Sequence, residues 1–195
     1  MLERFLAEHI WLVLLLWGIV YSADYYLTIY GAHLYHTSLK EHIVFAGSYE
    51  LTPQFQRDID TLQHFSPRFI RALGLSLVLI FLIWFLAVVV ISMPELFSLA
   101  TGALFLREAA IHLRHSRNIA LARLSRDSGG LSGQVHYSRW LILNLSTIEL
   151  WSYAGLYLLL GVVVGSWFLA GGALSCSITA FQHWRQSRKQ NRLSN

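Results

Sequence analysis

Forty-three residues separate Trp140 from Trp184, and only one of them, Glu149, carries a charge. As α-helix, at ~1.5 Å per residue, the stretch would reach roughly 65 Å, about twice the ~30 Å of a bilayer's hydrocarbon core. It is too long for one span and too apolar for a soluble surface. Two solutions remain: a helical hairpin, 140–162 and 167–184, turning near Gly161, Gly165 and Ser166, or one tilted helix preceded by an interfacial segment over 140–150.

Composition supports lipid as the solvent for much of this chain. Of 195 residues, 55% are hydrophobic and 13% charged, against ~25% charged in soluble domains. One soluble core of this size cannot hide that much apolar surface. Three further regions look membrane-embedded: Ile10 to about Ala32, Phe69 to about Ser92, and Leu96 to about Leu113. Pro94 and Glu95 read as a tight turn between the last two. The first run follows Glu3, Arg4 and Glu8 and lacks a small-residue cleavage site, so it reads as a retained span. Trp11, Trp17, Trp140 and Trp184 fall near the ends of apolar runs, where amphipathic rings favour the headgroup level.

Arginine arbitrates between the two topologies. The 114–139 segment holds Arg114, Arg117, Arg123, Arg126 and Arg139 against Asp127 alone, and the 185–195 tail holds Arg185, Arg188, Lys189 and Arg192 with no acid. Basic loops collect on the cytoplasmic side. Two loops on one side require an even number of crossings between them, which the hairpin supplies. The expected fold is an all-α integral membrane protein of one domain, a bundle of five transmembrane helices with four as the runner-up. The N-terminus is expected outside and the C-terminus in the cytoplasm, in a multi-pass cell (inner or plasma) membrane protein. A short amphipathic surface helix is expected over 53–65, opened by Thr52 and Pro53, with Phe55, Ile59, Leu62 and Phe65 on one face and Pro67 breaking it. Segment 114–139 is expected as a basic loop, flexible over 125–134.

Candidate chemistry sits in a few polar residues. Asp24 lies inside the first apolar run with Thr28 at i+4. An aspartate in lipid costs ~2.5–3.5 kcal/mol, so it should face the bundle interior, as an ion or proton site or as a paired structural acid. Glu149 is buried if the hairpin forms and interfacial if it does not. Asp24, Thr28 and Glu149 together suit the lining of a small conduit. Glu108, His112 and His115 share a helix face and offer metal-ligand chemistry, with His33, His36, His42 and Glu50 as further ligand candidates. No H-E-x-x-H or C-x-x-C motif completes a metal site, and no nucleophile–base motif appears. Arg107, Arg114, His115 and Arg117 read as a collar for anionic lipid headgroups. The single cysteine, Cys176, excludes an intramolecular disulfide and reads as a small core hydrophobe. The basic residues lie in short clusters beside apolar runs, which argues against nucleic-acid binding.

Asp24-x-x-x-Thr28, followed by Glu50-x-x-Pro53, resembles small prokaryotic polytopic membrane proteins of unknown function that carry an acid and a hydroxyl in helix one and a Glu-x-Asn-Pro turn after it. Here Thr52 stands at the asparagine, and the intervening loop is longer. The resemblance implies a membrane protein and supplies no activity. The leading functional expectation is a non-enzymatic accessory protein of the bilayer without a cofactor. It would join a second copy or a partner membrane protein through small-residue faces such as Gly161–Gly165. A conduit and a membrane-embedded metal enzyme are the alternatives.

Overall fold

The computed structural model describes residues 2–128 and 131–194. Gly129 and Gly130 of the expected flexible segment, and Asn195 of the basic tail, lie outside them. The chain is largely helical, and four helices are long and apolar enough to cross a membrane: Ile10–Leu39, Pro67–Val90, Pro94–Asp127 and Arg139–Val164. In order, the elements are α1 (Leu2–Glu8), α2 (Ile10–Leu34), β1 (Ile43–Phe45), α3 (Gln56–Asp60), α4 (Pro67–Trp84), α5 (Pro94–Ser128), β2 (Val135–Tyr137), α6 (Arg139–Val164) and α7 (Trp167–Ser194). Helices α2 and α4 each run on into a π-helical turn, Tyr35–Leu39 and Phe85–Val90.

The 140–184 stretch is a hairpin of two helices. Gly165 ends α6 in the left-handed conformation, φ 63° and ψ 39°, and its amide donates to the Gly161 carbonyl. A residue without Cβ takes that conformation at little cost. Helix α7, 28 residues long, is less apolar than these four. The reason lies in its packing. It is wedged between α5 and α6. A Cβ on Gly171 would overlap the Leu99 carbonyl oxygen, and one on Gly102 would overlap that of Phe168. A helix that meets neighbouring backbone needs small residues there, and these lower its hydropathy. Helix α4 is the converse: rich in large apolar residues, with Leu75, Val78, Leu79, Leu82, Leu86 and Val90 exposed.

Several expectations are corrected. The 114–139 segment is helical through Ser128, because its Arg, Ala and Leu residues sustain α5 past the apolar part. The surface helix shrinks to the five residues of α3, and Thr52 does not cap it. The strong cap comes later. Ser66 accepts from the amides of Arg68 and Phe69, with Pro67 at the first helical position, so the proline starts α4. Asp58, buried at the same corner, accepts from Ser66 and from Arg68 Nη1 at 2.9 Å. Trp17 is not interfacial. It is 1% exposed and donates from its indole to Ser76 Oγ at 2.8 Å, joining α2 to α4. The sequence signals do not show the parallel pairing of β1 with β2, Ile43 opposite Val135 and Phe45 opposite Tyr137.

The ends of the bundle differ in charge. Glu3, Arg4 and Glu8 of α1, Glu95 at the start of α5, and the Gly165–Trp167 turn gather around one surface hollow. This is the acidic end. The β1–β2 pair and the arginine-rich part of α5 lie towards the other.

Candidate functional site

Helix α5 presents Arg107, Glu108, Ile111, Arg114, His115 and Asn118 to a cavity of about 1020 Å³. Their spacing of three and four residues keeps them on one helical face. Asp24 and Thr28 of α2 line one side of the cavity, and Ser146, Glu149 and Tyr153 of α6 the other. Phe45, Tyr49 and Tyr137 come from the β1–β2 region. Ser166 and Gly165 set the α6–α7 turn at the acidic end, so α6 runs antiparallel to α5. Counted from that end, Asp24 is fourteen residues from Ile10, Glu108 fourteen from Pro94, and Glu149 fifteen from Val164. At ~1.5 Å per residue all three lie roughly 21–23 Å along their helices. Acids that are far apart in sequence meet because they share a depth.

The groups separate into two clusters. In the first, Arg114 Nε donates to Glu149 Oε2 at 2.7 Å, and Arg117 Nη1 lies 3.7 Å from Oε1. Glu149 is thus held by arginine. Ser146 Oγ is 2.8 Å from His183 Nδ1, joining α6 to α7 beside it. In the second cluster, ligand atoms of Asp24, Glu108 and His112 all lie within 4.8 Å of one another. His115 Nε2 is 3.4 Å and His112 Nε2 3.9 Å from Asp24 Oδ1. Thr28 donates its hydroxyl proton to the Asp24 carbonyl at 2.9 Å and lies 3.2 Å from His115 Nε2. With its one proton committed, the hydroxyl accepts from that ring. Arg107 Nη2 donates to Glu108 Oε1 at 2.6 Å.

Among the described residues, what is left unsatisfied, apart from Ser98 Oγ, lies in the second cluster and on Arg114 of the first. Asp24 Oδ1, Glu108 Oε2, His112 Nε2, His115 Nδ1, Arg107 Nε and Arg114 Nη2 are buried without a hydrogen-bond partner. Glu108 is only 2% exposed. Each such group costs about 1–3 kcal/mol, more when charged. Asp24, Glu108 and His112 each bring a buried atom without a hydrogen-bond partner to one place, although Arg107 holds the other Glu108 oxygen, and such a donor set suits a cation.

The sequence-based groupings are thus rearranged. Asp24, Thr28 and Glu149 line one cavity but do not form one cluster: Asp24 and Thr28 face histidines, Glu149 faces arginines. Asp24 stands with Glu108 and His112, while His115 turns to Thr28. The further ligand candidates do not join. His33 and His36 are exposed, His42 lies 3.0 Å from the Gly133 carbonyl through Nδ1, and Glu50 Oε1 accepts from the Thr52 amide at 2.6 Å. Of the expected collar, Arg107 and Arg114 are drawn to acids inside the cavity, and Arg117 remains 67% exposed. His183 escaped sequence reading; its position at the end of the last apolar run is the signal that would have found it. Above the cavity, burial pushes the Tyr49 hydroxyl up to about 12. The group stays a neutral phenol, and Gly31 makes room for it, since a Cβ there would come within 2.6 Å of its oxygen. Cys176 is fully buried.

Comparison of the chain with protein families, curated proteins and solved structures found no match.

Proposed function

We propose that this chain is an integral membrane protein of five spans whose cavity holds a divalent transition metal as the reaction centre of a membrane-embedded enzyme. The observation that carries the reading is the convergence of Asp24, Glu108 and His112 within 4.8 Å, with Asp24 Oδ1, Glu108 Oε2 and His112 Nε2 buried and without a hydrogen-bond partner. Mixed carboxylate and imidazole donors suit zinc, iron or manganese. Three protein ligands leave a coordination position open, as catalytic sites do and structural sites do not. A cavity of about 1020 Å³ has the size of a small-molecule site.

The five-span placement is supported by the separation of charge. Counting ~20 residues of helix from the acidic end reaches about Leu113 on α5 and about Leu145 on α6. Arg114, Arg117, Arg123 and Arg126 then fall beyond the hydrocarbon core with Arg185, Arg188 and Lys189, and the positive-inside rule makes that end cytoplasmic. The N-terminus is outside and the C-terminus inside. The accessory reading is weakened, because Gly102, Gly171 and Gly172 already pack against helices of the same chain. A conduit needs its acids in one continuous path, and Glu149 is neutralised by Arg114.

The test is metal content. Full-length protein purified in detergent and equilibrated with zinc, manganese or iron(II) should retain about one ion per chain by elemental analysis. Asp24→Asn, Glu108→Gln and His112→Ala should each lose it. Wild-type protein that retains no more metal than the triple variant sinks the proposal.

A further inference from the structure

We infer that the cavity's substrate is a phosphate-bearing amphiphile that enters sideways from the cytoplasmic leaflet and binds after the metal. The inference rests on the metal reading above and adds the chemistry of the second ligand.

Charge comes first. Four carboxylates line the cavity, Asp24, Glu50, Glu108 and Glu149, against three guanidinium groups, Arg107, Arg114 and Arg117. With these groups ionised and the lining histidines neutral, the count is one negative charge in excess. A dication at Asp24, Glu108 and His112 reverses the sign. Two arginines then still have something to give. Arg107 Nε and Arg114 Nη2 are buried and unpaired although each guanidinium already holds one carboxylate. They lie seven residues apart on one face of α5, on either side of His112 in the sequence. Planar guanidinium donors beside a metal are the donor set that phosphoryl oxygens take.

The walls supply the amphiphile. Leu145 and Ile148 of α6 line the cavity and are also 49% and 64% exposed, as is Leu121 of α5 at 42%. Large apolar side chains that belong both to the cavity and to the outer surface mark an opening on the flank of the bundle. In the five-span placement Ile148 faces acyl chains and Leu145 their edge, while Arg114 and Arg117 stand at headgroup height and Leu121 lies beyond them. A ligand with its phosphate on the arginines and metal and its chain past Ile148 matches both ends. Free phosphate would use only the polar one.

The experiment uses full-length protein in dodecyl maltoside micelles, which carry no phosphate, with and without the metal that elemental analysis identifies. Three probes are titrated: dodecyl phosphate, dodecanol and inorganic phosphate. Metal-loaded protein should bind dodecyl phosphate at least tenfold more tightly than either of the other two, and metal-stripped protein should bind it at least tenfold more weakly. The paired change Arg114→Gln with Glu149→Gln removes an ion pair as a unit and should weaken binding tenfold or more. Arg114→Lys keeps the charge opposite Glu149 but not the planar fork that offers donors on separate nitrogens, and should weaken it several-fold with unfolding temperature retained. Inorganic phosphate bound as tightly as dodecyl phosphate overturns the amphiphile. So does dodecanol bound equally well. Binding indifferent to metal or to both Arg114 changes overturns the site. Failure of the metal reading shows separately, as absence of metal in the elemental analysis; a metal-loaded protein without preference for dodecyl phosphate overturns this inference alone.

Discussion

Glu149 and Asp24 sit at matching depths on opposite walls of one cavity, and their surroundings differ in kind. Glu149 receives a direct hydrogen bond from Arg114 and a second guanidinium from Arg117. Asp24 has two imidazoles at 3.4 and 3.9 Å, beyond good hydrogen-bond length, and its Oδ1 is buried without a partner. The first arrangement is closed: every charge has its counter-charge within the chain. The second is open: Asp24, its side chain 26% exposed, keeps one buried oxygen without a hydrogen-bond partner, free for an ion from outside. Stored instability of this kind belongs to function more than to folding.

That contrast fixes what substitutions should do, beginning with the largest effect. Arg114→Ala leaves Glu149, its side chain 18% exposed, with only a distant guanidinium, and should destabilise the protein by about 3 kcal/mol in denaturant unfolding in micelles. A loss below ~1 kcal/mol would mean that Glu149 is not held by this pair. Asp24→Asn should do the opposite in metal-free protein, leaving the unfolding temperature unchanged or raising it. What it should abolish is the stabilisation by added metal, about 2.7 kcal/mol at one hundred times the dissociation constant in wild type. A metal-dependent shift that survives Asp24→Asn would return the aspartate to a purely structural role. Thr28→Val deletes the hydroxyl that faces His115 and should cost about 1 kcal/mol. Smallest should be Arg114→Met combined with Glu149→Leu, within about 1 kcal/mol of wild type, since closed pairs can be exchanged for apolar groups. If the double change is as damaging as Arg114→Ala, the pair does more than balance charge.

How much of this was legible in the sequence depends on which residues one asks about. Long apolar runs announced the helices, because 3.6-residue structure is the only way to satisfy backbone groups over such lengths in lipid. The turn was legible to within a few residues for the same reason: Gly161, Gly165 and Ser166 stand near the middle of a run too long for one helix. The continuation of α5 to Ser128 was masked by its arginines, which read as loop by charge and as helix by propensity. The short pairing of Ile43–Phe45 with Val135–Tyr137 carries no sequence signal, since three-residue strands have no period to detect. Trp17 looked interfacial because its distance from the start of the run was noted and its rotation towards Ser76 could not be. The site was half legible. Asp24, Glu108, His112 and Glu149 were each singled out, but their partners depend on depth and rotation, which spacing within one helix does not reveal. Counting from shared helix ends would have put Asp24, Glu108 and Glu149 at one level; only the fold turns Asp24 to the histidines and Glu149 to the arginines.

The strand Ile43–Phe45 has a consequence for the order in which the molecule is made. Its partner, Val135–Tyr137, and the Gly133 carbonyl that faces His42 lie far downstream, 91 positions in the latter case. At ~5–20 residues per second, the ribosome needs on the order of 5–20 s to deliver them. Throughout that interval the aromatic cover formed by Phe45 and Tyr49 lacks Tyr137, and α6 has not yet supplied its wall. The cavity is therefore incomplete until both α6 and α7 have emerged, since each supplies part of its lining.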